Sequence, residues 1–373
     1  FARCKDKPCC RVYPCRDSDE WWIVSKSVYV GMSGGVDSSV AAALLVEQGY
    51  SVTGVFMKNW AQDLPGFKCP WREDLADAKR VAVQLGIPFK IYDFQKEYKQ
   101  KVVDYMIDEF KAGRTPNPDI MCNQEVKFKL FLETALEDGA DLIATGHYAQ
   151  VKDGKLFQAV DTNKDQTYFL HRVTEDALKK TLFPLGGMKK PDVRKYASKL
   201  GLITAEKKDS VGVCFVGEIG IKEFLENFVE TEPGEIIEPK TGQVIGEHEG
   251  ALFYTIGQRH GLNVGGGLPY YVVGKDMVKN QVFVTTDIND SVLWQNTINL
   301  TDLHWIDSNY QIPNPDYKLL VRTRHRAPLI ECTIKKSKLG LGIDLKDDIR
   351  ALTPGQSAVL YDGEECIGGG IIV

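Results

Sequence analysis

The chain has 373 residues, with 46 Lys or Arg against 51 Asp or Glu for a net charge of −5, and is 43% hydrophobic and 26% charged. That length suits two or three domains with cores of their own. No apolar run approaches the roughly 18 residues of a membrane span and no signal-like segment opens the chain, so a cytoplasmic protein is expected; the acidic balance leaves a nucleic-acid partner only a local basic patch.

Residues 1–26 crowd Cys4, Cys9, Cys10 and Cys15 among Lys and Arg, ahead of the first credible strand. Their spacing fits no CxxC pattern and no metal site is expected there. They read as an extension outside the folded part, either disordered, a mis-called start, or an organelle-targeting remnant that would make the chain mitochondrial. Val28 to Val30 then reads as a buried strand, Met32 to Ser38 as a glycine-bearing turn, and Val40 to Val46 as a helix closed by Gly49. Ser51 to Met57 is a second strand, Asp74 to Leu85 a helix ended by Gly86, Phe89 to Phe94 a third strand, and 96–111 a helix stopped at Gly113. A further helix is expected from about Gln124 to Leu136, and a strand from Ala140 to Ala144. Alternating strands and helices imply a parallel sheet covered on both faces. Ligands on such sheets sit beyond the strand C-terminal ends, where the first turn, Met57 to Trp60 and Gly146-His147 all fall. From Gly217 the texture changes to short strands between glycine turns, including ALFYTI (251–256), YYVVG and QVFVTT. A second β segment follows from about Ser291. The fold expected is therefore α/β over 27–217, a small β-rich domain over 218–290 and a C-terminal β-barrel over 291–373. No internal repeat or low-complexity tract is present.

The turn GMSGGVDSS, placed between a strand and a helix, offers unpaired backbone N–H groups and the positive end of a helix dipole, which is an anion site. Gly34 and Gly35 allow close backbone approach, while Ser33, Ser38 and Ser39 add hydroxyls. Asp37 would repel phosphate unless Mg²⁺ sits between them. The turn lacks the ending of a Walker A loop and the dinucleotide fingerprint. Instead, Ser-Gly-Gly-Val-Asp-Ser resembles the PP-loop of the ATP pyrophosphatase family, which implies cleavage of ATP between its α- and β-phosphates.

The loop GRTPNPDIMCN (113–123) is stiffened by Pro116 and Pro118. If a helix begins near Asp119, the three-residue spacing puts Asp119 and Cys122 on one face, with the thiol near a helix N-terminus that stabilises its thiolate. An Asp N-cap followed by a buried Cys fits this loop equally well. Cys214, in KKDSVGVCF, has two lysines upstream that could lower its pKa; a core cysteine fits almost as well there. Between Lys318 and Lys338 stand seven Lys or Arg and a single Glu, a patch able to neutralise phosphates or simply a solvated strand face.

GMSGGVDSS, FMKNW, GRTPNPDIMCN, TGHYA, KDQTYFL, KKDSVGVCF, YTIGQR, TPGQ and GEECIGGG, in that order, resemble the tRNA-specific 2-thiouridylase family over nearly all of 27–373. The resemblance implies adenylation of the 2-oxygen of the wobble uridine in tRNAs for Lys, Glu and Gln, then its replacement by sulfur from a persulfide. It implies Cys214 as persulfide carrier, Cys122 as nucleophile or resolving thiol and Asp119 as acid/base, with Asn117, Pro118 and Asp119 around the target base. ATP would meet Gly31, Met32, Ser33, Gly34, Gly35, Val36, Asp37, Ser38, Met57 and Gly146, with Mg²⁺ as cofactor. His147, Lys164, Asp165, Gln166, Arg324, His325 and Gln356 would contact tRNA, and a cysteine desulfurase or sulfur-relay protein would supply the sulfur. Rival readings are an adenylating enzyme acting on a small metabolite, a non-catalytic RNA-binding or redox protein, and an iron–sulfur protein using Cys122, Cys214 and Cys69 or Asp119.

Overall fold

The computed structural model describes residues 25–63, 65, 69–209, 220–262, 264, 265, 267, 269–314, 316–337 and 340–373. Cys4, Cys9, Cys10, Cys15 and Cys214 lie outside these residues. Five strands, β1 (Ser27–Gly31), β2 (Ser51–Lys58), β3 (Phe89–Asp93), β4 (Leu142–Thr145) and β7 (Thr181–Leu182), form a parallel sheet in the order β3-β2-β1-β4-β7. Successive side chains of a strand point to opposite faces, and both faces here are covered. Val28 and Val30 pack with α1 (Val36–Glu47), α2 (Trp71–Leu85) and α5 (Lys190–Lys199). Tyr29 packs on the other face with α3 (95–111) and α4 (118–137). The chain leaves β1 toward β2 on one side, while β4 lies on the other, so the order reverses between the C-terminal ends of β1 and β4. Such a reversal opens a crevice in α/β sheets.

Two helices depart from the expected boundaries. α1 begins at Val36 and not at Val40, because the second half of the glycine turn is already the first helical turn. α4 begins at Pro118, well before Gln124, since proline suits the first helical position and Asn117 Oδ1 accepts the Ile120 N–H at 3.4 Å as a cap. Cys122–Leu130 of α4 is wound in wider π-type turns, which recur at functional sites.

The central domain is a four-stranded sheet in the order β10-β11-β8-β9, built from β8 (Gly234–Glu238), β9 (Gln243–His248), β10 (Tyr271–Asp276) and β11 (Gln281–Thr285). The segment 251–256, read as a strand, begins instead as a tight turn over Ala251–Phe253, after Gly250 at φ 149°. The last domain is a barrel. Its strands β12 (Trp294–Trp305), β13 (Leu319–Arg322), β14 (Ile330–Ser337), β15 (Gly340–Arg350), β16 (Ser357–Asp362) and β17 (Glu365–Ile372) run in the order β12-β15-β14-β13-β16-β17, and β12 pairs with β17 to close it. A hairpin of the first domain, β5 (Gln150–Lys152) and β6 (Lys155–Phe157), extends this sheet by pairing Cys366 with Leu156. That hairpin ties the barrel to the parallel-sheet domain. No described helix is long and apolar enough to cross a membrane.

Candidate active site

A cavity of about 760 Å³ opens where the sheet order reverses, lined by Gly31 to Ser33 and Gly35 to Ser38 on one side and by Asp119, Cys122 and Asn123 of α4 on another. The start of α1 carries no side-chain cap, which leaves first-turn N–H groups for a ligand. The serines shape the turn and do not cap it: Ser38 Oγ accepts the Ser33 N–H at 3.2 Å, and Ser39 Oγ donates to the Gly35 carbonyl at 2.8 Å. Gly34 has φ 76° and would place a Cβ 2.3 Å from the Asp74 carbonyl oxygen. A Cβ on Gly146 would lie 2.7 Å from the Ser38 nitrogen. Both contacts are with backbone, so only glycine lets β4 and α2 close on the turn.

Asp37 is paired. Its carboxylate accepts the Tyr148 hydroxyl at 2.8 Å and Lys190 Nζ at 2.7 and 2.8 Å. Lys190 also meets Asp209, which binds Lys164 and Arg194. Burial pushes the Asp209 carboxyl up, but the hydrogen bonds from Lys164 and Lys190 outweigh it and hold the group down at about 2. On the α4 side, burial raises the Asp119 carboxyl above its ordinary value, opposed by the cation of Lys127. Cys122 is buried at 3% exposure. His147, beyond β4, is kept neutral: burial first and Lys127 second depress its imidazole well below the usual value, and Nδ1 lies 2.8 Å from Thr145 Oγ1. Phe169 and His325 pack with ring centroids 4.5 Å apart and planes tilted by 41°, and both line the cavity.

The structure thus brings together Gly31, Met32, Ser33, Gly35, Val36, Asp37, Ser38, Met57, Gly146, Asp119, Cys122, His147, Lys164, Gln166 and His325 around one cavity. Five residues expected to contact tRNA do not line this cavity and have contacts within the protein. Asn117 caps α4, and Pro118 is buried at its first turn. Gln356 Nε2 donates to the Thr115 carbonyl at 2.8 Å, and Arg324 donates to the Ala351 carbonyl at 2.7 Å and Thr353 Oγ1 at 2.8 Å. Asp165, at 2% exposure, accepts from Arg322, Thr167 and the Ala159 N–H. These bonds fasten the 113–118 loop and the barrel to the cavity. Several cations of the 318–338 patch are engaged within the protein: Lys318 pairs with Glu331, Lys335 with Asp344 and Arg322 with Asp165.

Sequence reasoning missed Asn59, Lys127, Tyr148, Lys190 and Asp209. Asn59, Lys127, Tyr148 and Asp209 line the cavity, and Lys190 supports it from α5. Lys190 had no signal to offer, since 153 positions separate it from Asp37. Asn59 and Lys127 stood within or beside the quoted motifs and could have been found there.

The parallel sheet, the uncapped glycine turn and the cavity at the reversal define an α/β core of the PP-loop ATP pyrophosphatase type, followed by a small β domain and a closed barrel. Three family models match in order: the tRNA methyl transferase HUP domain over 26–218, the tRNA methyl transferase PRC-barrel domain over 222–286 and the aminomethyltransferase beta-barrel domain over 295–372. The chain is 48% identical over 356 residues to the tRNA-specific 2-thiouridylase MnmA of Pediococcus pentosaceus, covering 92% of this chain and 94% of that protein, and 49% identical over 351 residues to that of Listeria monocytogenes, with the same coverage. It belongs to the tRNA-specific 2-thiouridylase family. Among solved structures, a 4-thiouridine synthetase–RNA complex with bound ATP aligns at a TM-score of 0.37 and 20% identity, over 54% of this chain and 50% of that chain.

Proposed function

We propose that this chain 2-thiolates the wobble uridine of tRNAs for Lys, Glu and Gln, using ATP to activate the 2-oxygen and a Cys214 persulfide as the sulfur source. The observation that carries the reading is the single cavity joining an uncapped PP-loop to Asp119 and Cys122. An oxygen activated at the loop and a thiol at the start of α4 then face the same space.

ATP fits the loop side. First-turn N–H groups of α1 and Lys58, which lines the same cavity, suit a bound triphosphate. Among the described residues no three His, Cys, Asp or Glu side chains gather as a metal site. Asp37, whose carboxylate Lys190 and Tyr148 hold in place, is the residue that would receive Mg²⁺ brought with the nucleotide, and the ion would supply charge neutralisation at the phosphates. The uracil 2-oxygen attacks the α-phosphorus, pyrophosphate leaves, and the N3 proton passes to a base. Asp119, whose carboxyl burial raises above its ordinary value, is suited to hold or move a proton.

The terminal sulfur of the Cys214 persulfide then attacks C2 and displaces AMP. The Cys122 thiolate attacks the inner sulfur, releasing 2-thiouridine and leaving a Cys122–Cys214 disulfide. Atoms balance in this scheme. The thiols lose two electrons to the sulfane sulfur, and a dithiol reductant reopens the disulfide for the next turnover. A cysteine desulfurase or a relay protein reloads Cys214.

The test is reconstitution with a tRNA transcript, ATP and a desulfurase, followed by nucleoside mass spectrometry. One 2-thiouridine, one AMP and one pyrophosphate per turnover are expected. Pyrophosphate release that needs no tRNA would point instead to an adenylating enzyme of small metabolites.

A further inference from the structure

Asn123 follows Cys122 in α4, lines the same cavity and is 2% exposed. Its amide nitrogen donates to the Phe169 carbonyl at 3.1 Å. This bond fixes which end of the amide is which, because a carbonyl accepts only from the nitrogen end. Oδ1 is the end left over. It is buried and has no hydrogen-bond partner among the described residues. Buried acceptors in folded proteins are nearly always satisfied, so an orphan on a cavity wall marks where a ligand's donor arrives. Phe169, which holds the amide, packs against His325 with the ring planes tilted by 41°, and both rings line the cavity where an unstacked base could lie on an aromatic face.

We infer that Asn123 is the residue that tells uracil from cytosine, its Oδ1 accepting the N3–H of the target base. The inference rests on the 2-thiolation reading above. Uracil presents an N–H at position 3, beside the 2-carbonyl that is to be activated, and Asn123 directly follows Cys122, the thiol that frees the new sulfur from Cys214. Cytosine presents a bare ring nitrogen at position 3. Two acceptors would then face each other, and the amide cannot turn to offer its nitrogen without giving up Phe169. A site built to meet one donor rejects the analogue lacking it far more strongly than size alone would.

Asn59 carries the other orphaned side-chain oxygen on this cavity, but it directly follows β2, on the loop side. It therefore serves as the comparison. Binding of tRNA carrying uridine or 3-deazauridine, in which C–H replaces N3–H, at the target position is measured without ATP, before the N3 proton is given up to the chemistry. Wild type should lose about tenfold to a hundredfold on the deaza substrate. In Asn123→Ala that penalty should shrink to within about twofold, since no acceptor remains to be stranded, while in Asn59→Ala it should persist. Equal wild-type affinities for the two tRNAs would overturn the inference without recourse to any variant, and so would an undiminished penalty in Asn123→Ala. Failure of wild type to thiolate the uridine tRNA at all would remove the 2-thiolation reading, and this inference with it.

Discussion

Lys190 reaches from the start of α5 into the glycine turn and holds Asp37, its Nζ lying 2.7 Å from Oδ1 and 2.8 Å from Oδ2. A carboxylate in an anion site is adverse on its own. Here one ammonium, also 2.9 Å from Asp209 Oδ1, sits between two carboxylates and offsets their charge where phosphate would bind.

Lys190→Met should therefore weaken ATP binding and lower stability. The Lys190 side chain is 10% exposed, but the carboxylates are about a third exposed, at 32% and 31%. The expected loss is about 1–3 kcal/mol, below that of a fully buried pair. Urea denaturation and calorimetric titration of ATP measure the two effects. Unchanged ATP affinity would mean that Asp37 does not burden the phosphate site.

The Asp165–Arg322 pair, at 2.9 Å with side chains 1% and 9% exposed, joins the first domain to the barrel. Asp165→Ala leaves the guanidinium buried without its counter-charge, at a cost of roughly 3–5 kcal/mol. The denaturation midpoint should fall and limited proteolysis should cut between the domains. An unaltered midpoint would show that the pair does not fasten the barrel.

Burial, opposed by Lys127, raises the Asp119 carboxyl above its unfolded value. The folded state therefore holds this proton more tightly than the unfolded state does. Stability is full below the unfolded pKa and is lost as pH rises through the folded one. Asp119→Asn removes that loss, so the variant should be as stable as wild type near pH 4 and more stable at pH 8, while losing thiolation. Denaturation at the two pH values decides it: a stability difference that does not grow with pH would contradict the buried-acid account.

The α/β core was legible because its signals are local: Gly31 and Gly146 mark strand ends, and Gly49 and Gly86 mark helix ends. The start of α4 was misread because Pro118 looks like a breaker in sequence yet suits the first helical position once Asn117 caps it. The Asp165–Arg322 bond spans 157 positions, and the docking of β6 on β17 spans more, so no periodicity could announce either. The partners of the basic patch were hidden for a related reason. Charge counts along the chain do not reveal that Arg322 is turned inward to Asp165 or that Lys335 is paired across the strands with Asp344.

The central claim is that Cys214 carries the sulfur and Cys122 resolves it. Each variant is loaded with isotopically labelled sulfur by a desulfurase, given ATP and tRNA, and followed by mass spectrometry of protein and nucleosides. Cys214→Ser should take up no label yet still adenylate tRNA. Cys122→Ser should hold the label as a persulfide on Cys214 and deliver none, because serine supplies no thiolate near neutral pH. Labelled 2-thiouridine from the Cys214→Ser protein would contradict the carrier role, and normal thiolation by Cys122→Ser would reduce Cys122 to a core residue of α4.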